Sequence, residues 1–153
     1  MKRLAYSVPA ITVFVAAAFL ACNVASAGEM RSVITEAAIL YDAPSVKAKK
    51  LYIVKKSTPL EVLVNLDGMS KVREAEGSVA WVEKSQLSET RTIAVIASQA
   101  DIRQTPDANA PVLSTAEKWV ALELLELPVN GWVRVKHRDG IAGFVRSSQV
   151  WGI

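Results

Sequence analysis

The sequence predicts an all-β protein made of two tandem small β-barrels that follow a cleaved N-terminal signal peptide. Three observations support this prediction. The first 27 residues have the pattern of a secretory leader, the remainder divides into two copies of one strand pattern, and glycine-containing turn dipeptides separate the strands of each copy. The predicted segments are residues 1–27 for the signal, 28–90 for the first barrel and 91–153 for the second.

The leader has three features of an export signal. Lys2 and Arg3 precede an apolar run that ends at Cys22, and Ala25-Ser26-Ala27 supplies the small residues that a signal peptidase recognises. The run is shorter than the roughly 20 residues that span a bilayer, which disfavours a membrane anchor. Cleavage after Ala27 predicts a periplasmic or secreted protein. Lipidation of Cys22, in a segment loosely similar to a bacterial lipobox, is the less favoured alternative.

The charge pattern excludes one class of partner. Residues 28–153 contain 16 basic and 15 acidic residues, and neither half is strongly basic. Because nucleic-acid binding needs a basic footprint, we expect no nucleic-acid partner. A local lysine cluster is typical of a solvated loop, with a docking patch for an anionic polymer or lipid headgroups as the alternative. The cluster consists of Lys47, Lys49, Lys50, Lys55 and Lys56.

Self-comparison of the sequence finds an internal repeat. Pro59-Leu60-Glu61-Val62 aligns with Ala121-Leu122-Glu123-Leu124 at an offset of 62, whereas Asp67-Gly68 aligns with Asn130-Gly131 at an offset of 63. One extra residue in the second copy explains the change. We place it near Leu125 as a β-bulge, because the apolar alternation breaks there. A loop that is longer by one residue is the alternative.

Each copy reads as short strands separated by turns. Asp67-Gly68, Asn130-Gly131 and Asp139-Gly140 are strong hairpin dipeptides. Short 3₁₀ turns are expected at Ser85-Gln86-Leu87 and Ser148-Gln149-Val150. A copy of about 60 residues with five or six strands must close into a barrel to hide its edges and bury its apolar surface. The linker between the copies is short, so we expect the barrels to pack on each other.

These residues match a known pattern: each copy resembles the bacterial SH3 (SH3b) domain. The second copy fits the pattern best. It contains Asp101-Ile102-Arg103 followed by Pro106, then Gly131-Trp132-Val133-Arg134-Val135, then Gly143-Phe144-Val145. Together the two copies cover nearly all of the chain after the leader.

The first copy departs from the family pattern. Tyr41 replaces the arginine, Met69 replaces the first tryptophan, and Ala80 replaces the glycine before Trp81. The resemblance implies a periplasmic or cell-wall-associated module that binds peptidoglycan peptides or a protein partner of the envelope. The departures predict that the second copy contributes more to binding than the first.

Trp132 is the foremost of eight candidate ligand-binding residues. It shares a strand face with Arg134 and Lys136. Two interpretations stay open for it: the floor of a shallow peptide groove, or packing over the barrel or at the inter-domain seam. An aromatic floor beside cations suits a peptide that carries carboxylates. Binding is therefore expected to depend more on Trp132 than on Met69.

Three further aromatic candidates lie at turns and loop ends. Trp119 occupies a turn position where the first copy has Ser57, so we expect it to be exposed. Tyr41 and Tyr52 flank the long loop of the first copy, where they are placed to line its groove.

The remaining candidates have structural roles as their first interpretation. Arg103 is expected to pair with Asp101, with Asp107 or with a ligand carboxylate. Trp81 and Phe144 occupy matching positions in the two copies, and packing is the favoured role for both.

Catalysis and metal binding have little support in the sequence. His137 is the only histidine, and it adjoins Asp139 in a hairpin turn. Cysteine–histidine chemistry needs a thiol, and zinc sites need several histidine or cysteine ligands. We therefore expect a binding protein without cofactor or metal, not an enzyme. It either recognises peptidoglycan-like peptides or serves as a structural or regulatory module that docks on another envelope protein.

The leader pattern predicts that the exported protein begins at Gly28. Mass spectrometry of protein recovered from the cell envelope should give the mass of residues 28–153 without lipid. A diacylated or triacylated Cys22 at the N-terminus would contradict this prediction and assign the protein to a membrane.

Overall fold

The structure, a computed structural model, describes residues 28–153. The predicted signal segment and Cys22 lie outside the described residues. Fourteen strands and two short 3₁₀ turns account for the regular structure of residues 28–153. Within this part of the chain there is no helix of sufficient length and apolar character to cross a membrane.

The first seven strands form one antiparallel sheet in the order β3-β2-β6-β5-β4-β1-β7. A 3₁₀ turn at Lys84–Gln86 precedes the last of them. The strands are β1 Glu29–Val33, β2 Ala37–Tyr41, β3 Lys50–Lys55, β4 Pro59–Asn65, β5 Met69–Arg73, β6 Val79–Glu83 and β7 Leu87–Ser88.

The other seven strands repeat this arrangement in the order β10-β9-β13-β12-β11-β8-β14. A 3₁₀ turn at Ser147–Gln149 again precedes the last strand. The strands are β8 Thr92–Val95, β9 Gln99–Arg103, β10 Val112–Glu117, β11 Ala121–Val129, β12 Trp132–Lys136, β13 Ala142–Arg146 and β14 Val150–Trp151.

The two sheets confirm the all-β class and the tandem repeat, because each strand of the first set has a counterpart seven places later with the same neighbours. Each copy has seven strands instead of the predicted five or six. The first strand of each copy is the one that the sequence did not reveal. In β8 all four residues are buried, so the apolar–polar alternation that marks a half-buried strand is missing.

Each sheet encloses its own core. Matching positions in the two copies fill the two cores, for example Leu60 and Leu122, which are both fully buried. The first core consists of Val33, Ala38, Leu40, Val54, Leu60, Val62, Val72, Ala80 and Val82. The second consists of Ile93, Val95, Ala100, Ile102, Ala116, Leu122, Val133, Val135, Val145 and Val150.

The predicted β-bulge exists, but it does not explain the change of offset. The pairing of β11 with β12 skips Leu125. The pairing of β4 with β5 skips Leu63 in the same way, so both copies share this bulge. The register of β11 shifts a second time between Glu126 and Val129, and the extra residue lies there. The loop is not longer, because only Asn130 and Gly131 separate β11 from β12, whereas Leu66, Asp67 and Gly68 separate β4 from β5. The extra residue is therefore a second irregularity within β11, and neither the bulge at Leu125 nor a longer loop explains the change of offset.

The two copies contact each other along a seam. The Thr92 hydroxyl donates a hydrogen bond to the Ser57 carbonyl at 2.8 Å. The Ser32 hydroxyl donates another to the carbonyl of Thr90, in the linker, at 2.7 Å. These bonds join the turn after β3 and the strand β1 of the first copy to the start of the second copy.

Gly143 shows how closely two strands approach in the second copy. A Cβ atom built there would lie 2.5 Å from the Arg103 carbonyl oxygen and 2.7 Å from Cγ2 of Ile102. The first copy has Ala80 at the matching position, buried in its core. A methyl group is thus accommodated between β2 and β6 but clashes between β9 and β13.

We predict that Gly143→Ala lowers the free energy of unfolding by about 1–3 kcal/mol, the usual cost of overpacking. Chemical denaturation followed by tryptophan fluorescence measures this change. The matched variant Ala80→Gly removes the corresponding methyl group and should cost only about 0.5–1 kcal/mol, the difference between glycine and alanine within an element. Unchanged stability of Gly143→Ala would show that β9 and β13 separate freely.

Candidate functional site

Trp119 lies in the turn between β10 and β11 and projects from the seam. Its φ is +69°, and Ser57 in the first copy has a φ of +66°. In both turns the backbone N–H donates a 2.8 Å hydrogen bond, from Trp119 to Val95 and from Ser57 to Val33. The fold therefore imposes this left-handed conformation on both copies. Residues other than glycine rarely adopt it, because their Cβ crowds the following carbonyl at a cost of roughly 1–2 kcal/mol.

The Trp119 side chain is 44% exposed and borders two clefts. The first, here called the acidic cleft, has a volume of about 230 Å³ and contains the carboxylates of Glu74 and Glu76. Its other lining residues are Val54, Thr58, Pro59, Ala75 and Ala94. Both copies therefore contribute to its walls.

The second, here called the basic cleft, has a volume of about 480 Å³ and contains Lys55, Lys56 and Arg138. Its other lining residues are Ser57, Thr58, Val120 and Ala121. A third space of about 250 Å³ shares Ser57 and Arg138 with the basic cleft. Thr90 and Thr92 also line it, so it extends along the seam.

The two clefts differ in charge, and Trp119 separates them. The ammonium of Lys118 lies 4.7 Å from the centroid of the Trp119 ring, which adds a cation to this region. Lys56 is paired with the Glu36 carboxylate at 2.8 Å. Among residues 28–153, Lys55 and Arg138 form no ion pair, so their charges face the solvent of the cleft. The geometry suits a ligand with an apolar centre, an amine on one side and a carboxylate on the other.

Trp132, in contrast, is buried. Only 8% of it is exposed, and the guanidinium of its cross-strand partner Arg146 lies 4.6 Å from the centroid of its ring. The cations beside it form ion pairs with the neighbouring strand β11. Arg134 lies 2.5 Å from the Glu126 carboxylate, and Lys136 lies 2.8 Å from the Glu123 carboxylate. The burial favours the packing interpretation of Trp132 over that of an open groove floor. Its expected importance for binding stays a prediction.

Arg103 and Phe144 form a structural contact in the second copy. One guanidinium nitrogen of Arg103 donates to the Ala110 carbonyl and another contacts the Asp101 carboxylate, both at 2.8 Å. These bonds hold the loop between β9 and β10. Phe144 is half-buried and stands opposite Arg103 in the sheet.

The first copy replaces this pair with two aromatic residues. Tyr41 stands opposite Trp81 in the sheet. Tyr41 is buried, with 3% of its surface exposed, and Trp81 is half-buried. Neither side chain offers an open face of the kind that Trp119 presents.

Tyr52 is connected to the acidic cleft through Glu74. The Tyr52 hydroxyl donates a hydrogen bond to the Glu74 carboxylate at the end of β5. Partial burial, followed by the nearby Glu74 carboxylate, raises the pKa of Tyr52 to about 12. Tyr52 thus holds one of the two carboxylates of the acidic cleft in place.

His137 contacts an acidic residue of its own turn. Its Nδ1 lies 2.8 Å from the Asp139 carboxylate. The backbone N–H of Ile141, and next to it His137, lower the pKa of Asp139. Among residues 28–153 no group of three or more histidine, cysteine, aspartate or glutamate side chains is placed to hold a metal ion.

Of the eight candidates, Trp119 lies at the seam and Tyr52 reaches it through Glu74, whereas the others lie away from it. Sequence reasoning singled out Lys55 and Lys56 as part of a lysine cluster but did not place them beside Trp119, and it missed Glu74, Glu76 and Arg138. These charged residues come from β3, from the hairpin after β5 and from the hairpin after β12, so only the contact between the two copies brings them together. The usable signal was the tryptophan in the position that serine occupies in the first copy.

The raised pKa of Tyr52 predicts a loss of stability at high pH. The folded-state pKa, about 12, exceeds the ordinary value of 10.0, so this contribution is present below pH 10 and is lost as the pH rises from 10 to 12. Ultraviolet titration of the phenolate should show one tyrosine that ionises late. Tyr52→Phe should remove that step, and Glu74→Gln should move it to lower pH. Ionisation near pH 10 that is indifferent to Glu74→Gln would contradict the assignment.

Comparison with known proteins identifies both copies by sequence. The model of the bacterial SH3 domain matches residues 35–89 and again residues 97–152. No curated protein has a sequence that matches this chain significantly.

Three solved structures share low sequence identity with this chain. NlpC2 from Trichomonas vaginalis is 16% identical over 81% of this chain and 48% of its own, with a TM-score of 0.37. NlpC1 from the same organism is 16% identical over 80% of this chain and 45% of its own, with a TM-score of 0.38. An NlpC/P60 family protein from Bacillus cereus is 15% identical over 80% and 55%, with a TM-score of 0.37. This chain thus spans about half the length of each.

The family model covers most of the chain, and each of its two matches spans the last six strands of one seven-stranded sheet. The chain therefore belongs to the bacterial SH3 domain family and carries that domain twice in tandem.

Proposed function

We propose that this chain is a binding module of the bacterial cell envelope that holds a peptide with both amino and carboxylate groups, as peptidoglycan stem peptides have. The observation that carries the proposal is the exposed Trp119 between an acidic and a basic cleft. Membership of the bacterial SH3 family supports a location in the cell envelope, since such domains are typical of extracytoplasmic proteins.

Trp119 would supply the apolar centre of the site. An indole offers a large flat surface for stacking and an N–H donor, which is why tryptophan is frequent among residues that dominate binding energy. The left-handed backbone of Trp119 costs conformational free energy that glycine would avoid, and the serine of the first copy shows that the turn does not need an aromatic residue. A function for the side chain explains why tryptophan occupies this turn.

The charged groups would orient the ligand. An amine of the peptide would lie against Glu74 and Glu76, and its carboxylates would lie against Lys55, Lys56 and Arg138. Because the two clefts have opposite charge, a peptide bound in the reverse direction would place like charges together. Such juxtaposition provides specificity more than affinity.

We propose binding without catalysis and a periplasmic or secreted location. The only histidine, His137, has its Nδ1 against Asp139 within one turn, an arrangement that suits a turn. The proposed location rests on the leader pattern of residues 1–27 and on the usual extracytoplasmic location of proteins with this domain.

The test is the affinity of the purified protein for soluble muropeptides released from sacculi, measured by isothermal titration calorimetry. The key variant is Trp119→Ser, because serine occupies the same turn in the first copy and the fold accepts it there. Loss of a central aromatic anchor costs about 2 kcal/mol, so we expect affinity to fall roughly 30-fold while the melting temperature changes little.

Two further comparisons make the test specific. Acetylation of the peptide amine and amidation of its carboxylates should each weaken binding, and Arg138→Glu should remove the effect of amidation. Trp132→Ala and Met69→Ala measure the contribution of the buried positions in the second and first copies. Undiminished affinity of Trp119→Ser would overturn the proposed site. Weaker binding by a Trp132→Ala variant of normal stability would move the site to the second copy alone.

A further inference from the structure

We propose that the outer edge of β3 binds an extended segment of a protein partner as an additional antiparallel strand, apolar in its centre and acidic at both ends. This surface adjoins the basic cleft and shares Lys55 with it, but its centre at Ile53 lies outside both clefts. The inference does not depend on the function proposed for the clefts. The recognition mode is strand addition, in which main-chain hydrogen bonds supply affinity and side chains supply specificity.

The position of β3 leaves its outer backbone groups available. It is a terminal strand of its sheet and pairs only with β2 among the described strands. The Lys56 N–H donates to the Glu36 carbonyl, and hydrogen-bonded pairs alternate with non-bonded pairs along an antiparallel ladder. Ile53 and Lys55 consequently fall in non-bonded pairs, and their own N–H and C=O groups point away from β2.

The centre of this edge is unusually apolar for a solvent-facing strand. Ile53 is 65% exposed, and Leu51 and Tyr52 are each 41% exposed. Natural sheets commonly protect such edges with charged residues, because an apolar edge invites another strand. Across the sheet Ile53 faces Ile39, which extends the apolar surface onto β2.

The second copy shows that the fold does not require these residues. Its corresponding edge strand, β10, has the same neighbours and the same register shift. The pair that matches Ile53 and Ile39 is Thr115 of β10 and Asp101 of β9, which also face each other. At the position of Lys55, β10 carries Glu117. Leu113, which is 43% exposed, matches Leu51, so both edges carry an apolar residue there. The apolar centre at Tyr52, Ile53 and Ile39 is a property of the first copy alone, and folding does not account for it.

Lysines at both ends of β3 determine which strand fits. Lys49 and Lys50 lie at one end and Lys55 lies at the other, and none of the three forms an ion pair within residues 28–153. An antiparallel pair of two β3 strands centred on Ile53 would place Lys50 of each strand opposite Lys56 of the other, and like charges directly opposite are destabilising. A second copy of this chain is thus disfavoured, whereas a strand with acidic ends complements the edge.

Fluorescence anisotropy with labelled synthetic peptides tests the proposal on the purified protein. The probe is Glu-Glu-Val-Thr-Val-Thr-Val-Glu-Glu, and its counterpart carries lysine in place of every glutamate. We expect the acidic-ended probe to bind at least about tenfold more tightly, which corresponds to about 1.4 kcal/mol. N-methylation of the alternate amides that face β3 should abolish binding, because it removes the donors of the ladder. Amide shifts in NMR spectra should be largest at Ile53 and Lys55.

The repeat supplies a matched pair of variants. Ile53→Thr gives β3 the residue that β10 already carries, so the fold should tolerate it while the affinity for the probe falls at least about fivefold, the loss expected for one buried aliphatic side chain. Thr115→Ile in the second copy and Trp119→Ser at the seam should leave the affinity unchanged.

Several results would overturn the proposal. They are equal binding of the two peptides, binding that survives N-methylation, no binding at millimolar probe, or amide shifts at Trp119 and Arg138 with none at Ile53. Sedimentation that shows self-association, abolished by Ile53→Thr, would identify a second copy as the occupant and would also refute the protein partner.

Discussion

Closure of seven short antiparallel strands around one small core is the constraint on which the rest of the structure depends. A copy of this size buries only about 60% of its extended surface. Nearly every inward position is therefore used for packing, as the paired cores of the two copies show. The positions left for binding are the turns, the edge strands and the seam where Thr92 bonds to Ser57.

The two copies satisfy this constraint in the same way and then diverge at positions that the core does not use. One turn conformation holds Ser57 in the first copy and Trp119 in the second. One edge position holds Ile53 in the first and Thr115 in the second. Since the backbone is the same, the fold itself does not require these differences. The second copy thus supplies an aromatic residue to the seam, and the first supplies an apolar edge.

The sequence predicted those features that depend on contacts close along the chain. Alternation and hairpin dipeptides located the strands that begin at Met69 and Trp132, and the repeat predicted equal topology for the two halves. The shared bulge at Leu63 was hidden, because an unpaired residue in both copies leaves no trace in their alignment. The clefts around Trp119 were also hidden, since their charges come from hairpins of different copies.

The burial of Trp132 changes how agreement with the family pattern should be interpreted. The pattern residues Ile102 and Val135 are fully buried, and Gly143 permits a close approach of two strands. Trp132 joins them, covered by Arg146. These pattern residues therefore serve the packing of the barrel, so agreement with the pattern does not by itself locate a binding surface, and the larger contribution of the second copy to binding stays a prediction. Function is better sought at Trp119 and Ile53, two side chains outside the quoted pattern that the cores do not require.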